Sequence, residues 1–295
     1  MEIITRRKRM ASVARKARRE QDGAIGLVPT MGALHEGHLS LVREARRVCD
    51  VVVVSVFVNP AQFGPQEDFT RYPRDLTRDA ALLTECNVDY IFAPSAEEIY
   101  PPGFATYVNV EGVSERLEGA SRPGHFRGVA TVVAILFNVV RPDFAFFGQK
   151  DAQQTIVIKR LAQDLALDTE IVVRPTVREP DGLAMSSRNA YLSAEERAAA
   201  PVLYGALSHA REMYCTGERD AIQLVDAVRQ LVENEPLARL EYVCANDAET
   251  LEPLDTLDDE RPAVLSIAAR FGPTRLIDNV LLTPPRRATG PLVQP

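Results

Sequence analysis

The chain has 295 residues, 46% of them hydrophobic and 25% charged, and a formal net charge of −7. That length supports one large or two ordinary domains with real cores. The acidic balance argues against a dedicated nucleic-acid binder, and the longest apolar run, Val51 to Val58, is strand-sized rather than bilayer-sized.

The first residues lack the apolar core of a secretory signal. A basic segment, Arg6 to Arg9 and Arg15 to Arg19, carries Met10, Val13, Ala14 and Ala17 at helical spacing, which predicts an amphipathic helix with a solvated basic face. No aromatic residue interleaves with the charges, so an RNA contact is not expected. Ala24 to Val28 reads as a strand, followed by a turn and a helix from about His38 to Val48. Val51 to Val58 is nearly continuous and β-branched, as a parallel strand buried on both faces should be. A helix at 75–86, a strand at 89–93, a helix at 129–140, a strand at 144–147, a helix at 153–165 and a strand at 170–174 complete a βαβα rhythm. This predicts a Rossmann-like, doubly wound parallel sheet, with ligands at the carboxyl ends of its strands. The four cysteines, Cys49, Cys86, Cys215 and Cys244, are scattered without a CxxC pair, consistent with free thiols in a reducing cytosol.

From Pro175 the pattern changes. Residues 176–189 are loop-like. Ser193-Ala194-Glu195-Glu196 resembles a capping box with its last residue out of register, and opens a helix-rich region to about Asn234. Strand-like runs at 240–244, 263–268 and 276–282 predict a smaller C-terminal α+β domain. The expected division is 1–177, 178–284 and a disordered tail at 285–295.

Chemistry concentrates after strands. In Pro29 to His38, Gly32 and Gly37 permit close backbone approach, and a helix N-terminus offers free N–H groups to phosphate. His35 and His38, one turn apart, add donors where charge builds on an α-phosphate. A metal pair is the weaker reading, because His-Glu-Gly-His lacks the zincin spacing and no cysteine is near. Met185-Ser186-Ser187-Arg188 has the hydroxyl and cationic groups of a loop that closes on phosphates. Asn59 and Gln62 form a neutral amide pair flanked by phenylalanines. Further on, Gly148 allows a tight turn, Lys150 can neutralise phosphate, and Gln154 lies one helical turn later. Two glutamines from different strand ends suit a small polyol acid without repelling ATP. Asp151 also reads as a helix N-cap.

His-x-x-His after a first strand resembles the signature of the nucleotidylyltransferase superfamily and class I aminoacyl-tRNA synthetases, and the Ser-Ser-Arg loop resembles a variant of their Lys-Met-Ser-Lys-Ser loop. Taken in order, 29–38, 58–63, Arg71-Tyr72-Pro73-Arg74, 119–128, 147–154, 181–189 and 275–279 resemble the pantoate–β-alanine ligase family over nearly the whole chain.

The resemblance implies a two-step ligation. Pantoate is activated by ATP as pantoyl adenylate with release of pyrophosphate, Mg2+ offsetting phosphate charge, and β-alanine then displaces AMP to give pantothenate. It implies that Met31, Gly32, Ala33, Leu34, His35, Glu36, Gly37 and His38 line the ATP site, completed by Gly148, Gln149, Lys150, Asp151, Val177, Met185, Ser186, Ser187 and Arg188. Gln62 and Gln154 would hold pantoate. His38, His35 and Lys150 would be catalytic, with His38 the family's proton donor and His35 on phosphate. Carboxylate attack needs little protonation of departing pyrophosphate, so His38 is expected to act mainly as a cationic stabiliser of the transition state. The C-terminal domain would serve as a lid that shields the adenylate from water. The resemblance also implies a cytoplasmic homodimer with no nucleic-acid or membrane partner; metal ligands stay unassigned. Gln149 stands where that family often has Glu and Ala152 where an aromatic is common, so altered packing near the nucleotide is expected. His125 is open between a site contact and a turn-fixing role, and His209 reads as structural. An adenylyltransferase that leaves AMP on its product would share the histidine site without needing an amine receptor.

Overall fold

The computed structural model describes residues 1–283 apart from Asp22 and Gln66, with only the backbone of Gln21. The tail expected to be disordered, 285–295, lies outside the described residues. Two compact units divide the chain, Met1–Ala190 and Tyr191 onward. The boundary expected at 177/178 falls earlier than this division. Residues 178–190 cluster with the first unit because their bonds run there: Ser187 to Ala33 and Arg188 to Asp68.

The first unit contains, in order, β1 (Glu2–Ile4), α1 (Arg7–Gln21), β2 (Ile25–Thr30), α2 (Glu36–Val48), β3 (Val51–Val56), α3 (Leu76–Glu85), β4 (Tyr90–Phe92), α4 (Ala96–Ile99), α5 (Glu118–Ser121), α6 (His125–Val140), β5 (Phe144–Gly148), α7 (Ala152–Asp164) and β6 (Glu170–Arg174). Short 3-10 turns follow β3 at Pro60–Gln62 and β5 at Gln149–Asp151. The six strands form one sheet in the order β1-β4-β3-β2-β5-β6. Every pairing is parallel. β2 has β3 on one side and β5 on the other, so the chain leaves it in both directions; such a switch point opens a crevice at the carboxyl ends. The strands are Val- and Phe-rich because helices cover both faces. Val28, Val52, Val54, Ile91 and Phe146 pack with Leu41, Val42 and Leu83 in one core cluster.

In α1, Met10, Val13, Ala14 and Ala17 are buried, as their spacing predicts. Its basic face is laced to acids: Arg18 pairs with Asp143 and Arg7 with Glu98. The edge strand β1 is too short, at three residues, to show a period.

The second unit contains α8 (Ala194–Ala199), α9 (Val202–Cys215), α10 (Ala221–Glu233) and an antiparallel sheet of β7 (Ala238–Asp247), β8 (Ala263–Phe271) and β9 (Thr274–Leu282), with β8 central. The capping box at Ser193 is complete, contrary to the sequence reading. Ser193 Oγ accepts from Glu196 N at 3.2 Å, and Glu196 accepts from Ser193 N at 2.8 Å. Ser193 is the cap itself, which puts Glu196 in register. Among the described residues, no helix is long and apolar enough to cross a membrane.

Candidate active site

The turn between β2 and α2 is built by backbone bonds to side chains. Thr30 Oγ1 donates to Ser55 O (2.7 Å) and accepts from Gly32 N (3.1 Å). Gly32 and Ala33 both take positive φ, +80° and +51°. A Cβ on Gly32 would also lie 2.9 Å from Asp79 Oδ2, so glycine answers both strain and space. Asp79, buried on α3, accepts from Ala33 N (2.9 Å) and Leu34 N (2.8 Å), and Leu34 is thereby seated in the core.

His35 then caps α2. Its Nδ1 accepts from Gly37 N (3.2 Å), while His38 Nδ1 accepts from His35 N (3.4 Å), a reciprocal capping box made of imidazoles. A backbone N–H can only donate, so both Nδ1 atoms are unprotonated and each neutral ring carries its proton on Nε2. Glycine at 37 is required by the folded ring: a Cβ there would lie 2.9 Å from His35 Cε1. The ring centroids are 4.1 Å apart. Burial, then the Lys150 charge, lowers the His35 pKa to about 4. Burial, then the neighbouring His35 and Lys150, lowers His38 to about 3. Both rings are therefore neutral donors at pH 7. The cationic role expected of His38 is not what this geometry holds ready; Lys150 supplies the positive charge.

These rings line a cavity at the carboxyl ends of β2, β3, β5 and β6, wholly within the first unit. After β3 come Asn59 and Gln62, whose amides bond each other at 3.0 Å. Gly148 ends β5 and is followed by Lys150 and Asp151, with Gln154 on α7. After β6 come Val177 and the flap Met185, Ser186, Ser187 and Arg188. The flap is folded back by a bridge between Arg178 and Ala184 and by Met185 N to Val177 O (3.0 Å). Ser187 Oγ donates to Ala33 O at 3.1 Å, tying the flap to the histidine turn. Arg188 makes two 2.9 Å bonds to Asp68. Arg122, also in the lining, is gripped by Glu67 at 2.6 and 2.7 Å. Burial opposes ionisation of both acids, but the arginine bonds outweigh it and leave their pKa values below the usual carboxylate range.

Comparison with known proteins decides what such a cavity belongs to. The family model described as pantoate-beta-alanine ligase matches residues 2–281. The chain belongs to that family. A pantothenate synthetase from Chloroflexus aurantiacus is 59% identical over 268 residues, covering 91% of this chain and 95% of the relative. The solved pantothenate synthetase from Thermus thermophilus superposes with a TM-score of 0.90 at 48% identity, covering 96% of this chain and 100% of that one. A pantoate-beta-alanine ligase from Francisella tularensis, complexed with beta-gamma ATP and beta-alanine, has a TM-score of 0.77 at 35% identity, covering 96% of this chain and 98% of that one.

Against the residues that family resemblance brings forward, the cavity is selective. Met31, His35, Gly37, His38, Gln62, Gly148, Lys150, Asp151, Gln154, Val177 and Met185 to Arg188 line it. Gly32, Ala33, Leu34, Glu36 and Gln149 do not. Gly32 N–H is bonded to Thr30, Ala33 and Leu34 are held by Asp79, and Glu36 points to solvent and pairs with Arg43. Asp151 stands at the start of α7 but its side chain makes no cap bond; it lines the cavity beside Lys150, 3.7 Å from its Nζ. Ala152 is buried and outside the lining.

His125 lines the site and also fixes it. Its Nδ1 lies 2.8 Å from Gln62 O, a pure acceptor, so the proton is on Nδ1 and Nε2 accepts from Arg122 at 3.2 Å. Burial, then Arg122, lowers its pKa to about 4. Sequence reasoning did not assign Asn59, Tyr72, Arg122 or Asp79 a place around the site. The amide pair signalled Asn59, and the Arg122-to-Gly128 block signalled Arg122. Nothing local marks Asp79, whose partners lie 46 and 45 residues away.

Proposed function

We propose that this chain condenses pantoate with β-alanine at the expense of ATP, through a bound pantoyl adenylate. A pantoate carboxylate oxygen bonds to the α-phosphorus while the α–β phosphoanhydride breaks, releasing pyrophosphate. The β-alanine nitrogen then bonds to the pantoyl carbonyl carbon, the bond to AMP breaks, and the amine proton passes to solvent.

One observation carries the reading: two neutral imidazoles, a lysine and a serine–arginine flap line a single cavity at a topological switch point. The relative from Francisella tularensis, complexed with beta-gamma ATP and beta-alanine, supports it. In this reading His38 and His35 direct Nε2–H donors at α-phosphate oxygens, where charge builds in the transition state. Lys150 adds the fixed charge. Ser186, Ser187 and Arg188 take the outgoing phosphates, and Gly148, Asp151 and Val177 complete the nucleotide site. Gln62 and Gln154 hold the acid. Mg2+ fits as a companion of ATP: among the described residues no three metal-binding side chains converge, and Asp151 is the carboxylate in the lining. When bound, the ion would offset phosphate charge, and Asp151 is the side chain that would hold it.

The test is pyrophosphate release with pantoate, with and without β-alanine, followed by product analysis. AMP and pantothenate appearing together only with the amine is the expected result. A stable adenylylated product, or pyrophosphate release indifferent to pantoate, overturns the reading. The same reading makes the enzyme a cytoplasmic homodimer, so light scattering should give twice the chain mass.

A further inference from the structure

Tyr100 stands outside the cavity lining, just past α4, yet its phenol ends on the amides that face the cavity. Asn59 is 1% exposed and fully committed. Its Oδ1 accepts from Ala61 N (3.3 Å) and from Tyr100 Oη (2.7 Å). Its Nδ2 donates to Gly128 O (3.1 Å) and to Gln62 Oε1 (3.0 Å). The Ala61 N–H can only donate and the Gly128 carbonyl can only accept, so the Asn59 amide has one orientation. Tyr100 must therefore be the donor, and burial, which raises the phenol pKa, keeps the proton in place.

Close packing makes this arrangement possible. Gly128 on α6 presses on the 3-10 turn: a Cβ there would lie 2.2 Å from Ala61 O. The Tyr100 ring packs against Phe104, with centroids 5.0 Å apart, and lies 6.5 Å from Phe57.

The consequence falls on Gln62. Its Oε1 is used by Asn59, so its Nε2 is turned elsewhere, where it meets the weak acceptor Sδ of Met31 at 3.3 Å. We propose that Tyr100 is a positioning residue which, through Asn59, holds Gln62 as a donor toward the cavity, so that the acid substrate is read there by an acceptor oxygen. Resting on the proposed function, that oxygen is a carboxylate or hydroxyl oxygen of pantoate. A substrate presenting only a donor at this point would meet another donor and be rejected.

Tyr100→Phe keeps the ring contacts and removes one hydrogen bond. In steady-state assays at saturating β-alanine, the KM for pantoate should rise about threefold to tenfold with the KM for ATP nearly unchanged, while the urea midpoint falls modestly, as the loss of one buried hydrogen bond requires. The coupling test uses kcat/KM for pantoate, which needs no saturation. If Tyr100 acts through Gln62, adding Tyr100→Phe to Gln62→Ala should change kcat/KM no further. Additive losses, equal rises in both KM values, or no effect of Tyr100→Phe overturn the proposal. A wild-type enzyme that turns over ATP without needing pantoate would instead sink the functional reading, and this inference with it.

Discussion

The cavity holds its polar groups in two different ways. At the turn between β2 and α2, His35 and His38 are locked by backbone N–H groups, neutral, with their tautomers fixed. At the loop after β3, Glu67 and Asp68 hold the cavity's two arginines, Arg122 and Arg188, in bidentate ion pairs. The first kind of group is preorganised and needs no rearrangement when charge develops on the α-phosphate oxygens. The second is charge kept in reserve: an arginine can exchange a carboxylate for a phosphate of similar geometry. The contrast suits a reaction whose first step must stabilise one phosphorus and whose nucleotide must arrive and leave.

The largest effect should come from breaking the locked side. His38→Ala removes a donor and half of the capping box, and adenylation should fall about 10²- to 10³-fold. His38→Gln retains a donor and the residue type that completes a capping box, so it should lose clearly less. Equal losses in rapid-quench adenylation assays would restore a charge role for His38.

Next in size is Asp79→Asn. An amide replaces one of two acceptors with a donor aimed at a backbone N–H, which costs about 1–3 kcal/mol. A lower urea midpoint together with a raised ATP KM is expected; a stability loss with unchanged ATP kinetics would mean that Asp79 does not hold the turn in its working shape.

The neutral histidines also predict an acid-side loss of stability. His35, His38 and His125 have folded pKa values near 4, 3 and 4, below their usual 6.5. Below pH 6.5 the unfolded chain takes up protons that the folded chain refuses. The stabilisation is therefore complete above 6.5 and drains as pH falls toward 4, by at most about 1.4 kcal/mol per pH unit per histidine. Urea midpoints from pH 7.5 to 4.5 should fall accordingly, less steeply in His38→Gln.

The smallest effect tests the reserve side and has the opposite sign. Asp68→Asn frees Arg188 from its carboxylate, so the KM for ATP should drop about twofold to fivefold. A rise would show that Asp68 orients Arg188 rather than competing for it.

Much of this was legible in the chain itself. Long apolar runs such as Val51–Val56, and the helical spacing of Met10, Val13 and Ala17, carry their own burial pattern, so five of the sheet's six strands and its longer helices follow from periodicity, while the short edge strand β1 does not. The histidine pair, Lys150 and the Ser-Ser-Arg flap were identifiable as side chains able to handle phosphate, and the comparisons confirm the family. The sequence puts 178–190 with the C-terminal domain because the strand–helix rhythm ends there in a loop-like stretch with Pro180 and Gly182, whereas Ser187 and Arg188 are bonded to the first unit.

Residue type and spacing thus determined which elements form and which groups can do the chemistry. Tertiary structure alone decided their states: which nitrogen of His38 bears the proton, that Arg188 is already paired, and that Asp79 and Tyr100 set the shape of a site they do not line. The reason is physical. Periodicity is a local property of the chain, whereas tautomer, ionisation and amide orientation are set by donors and acceptors that only folding brings within about 3 Å of one another.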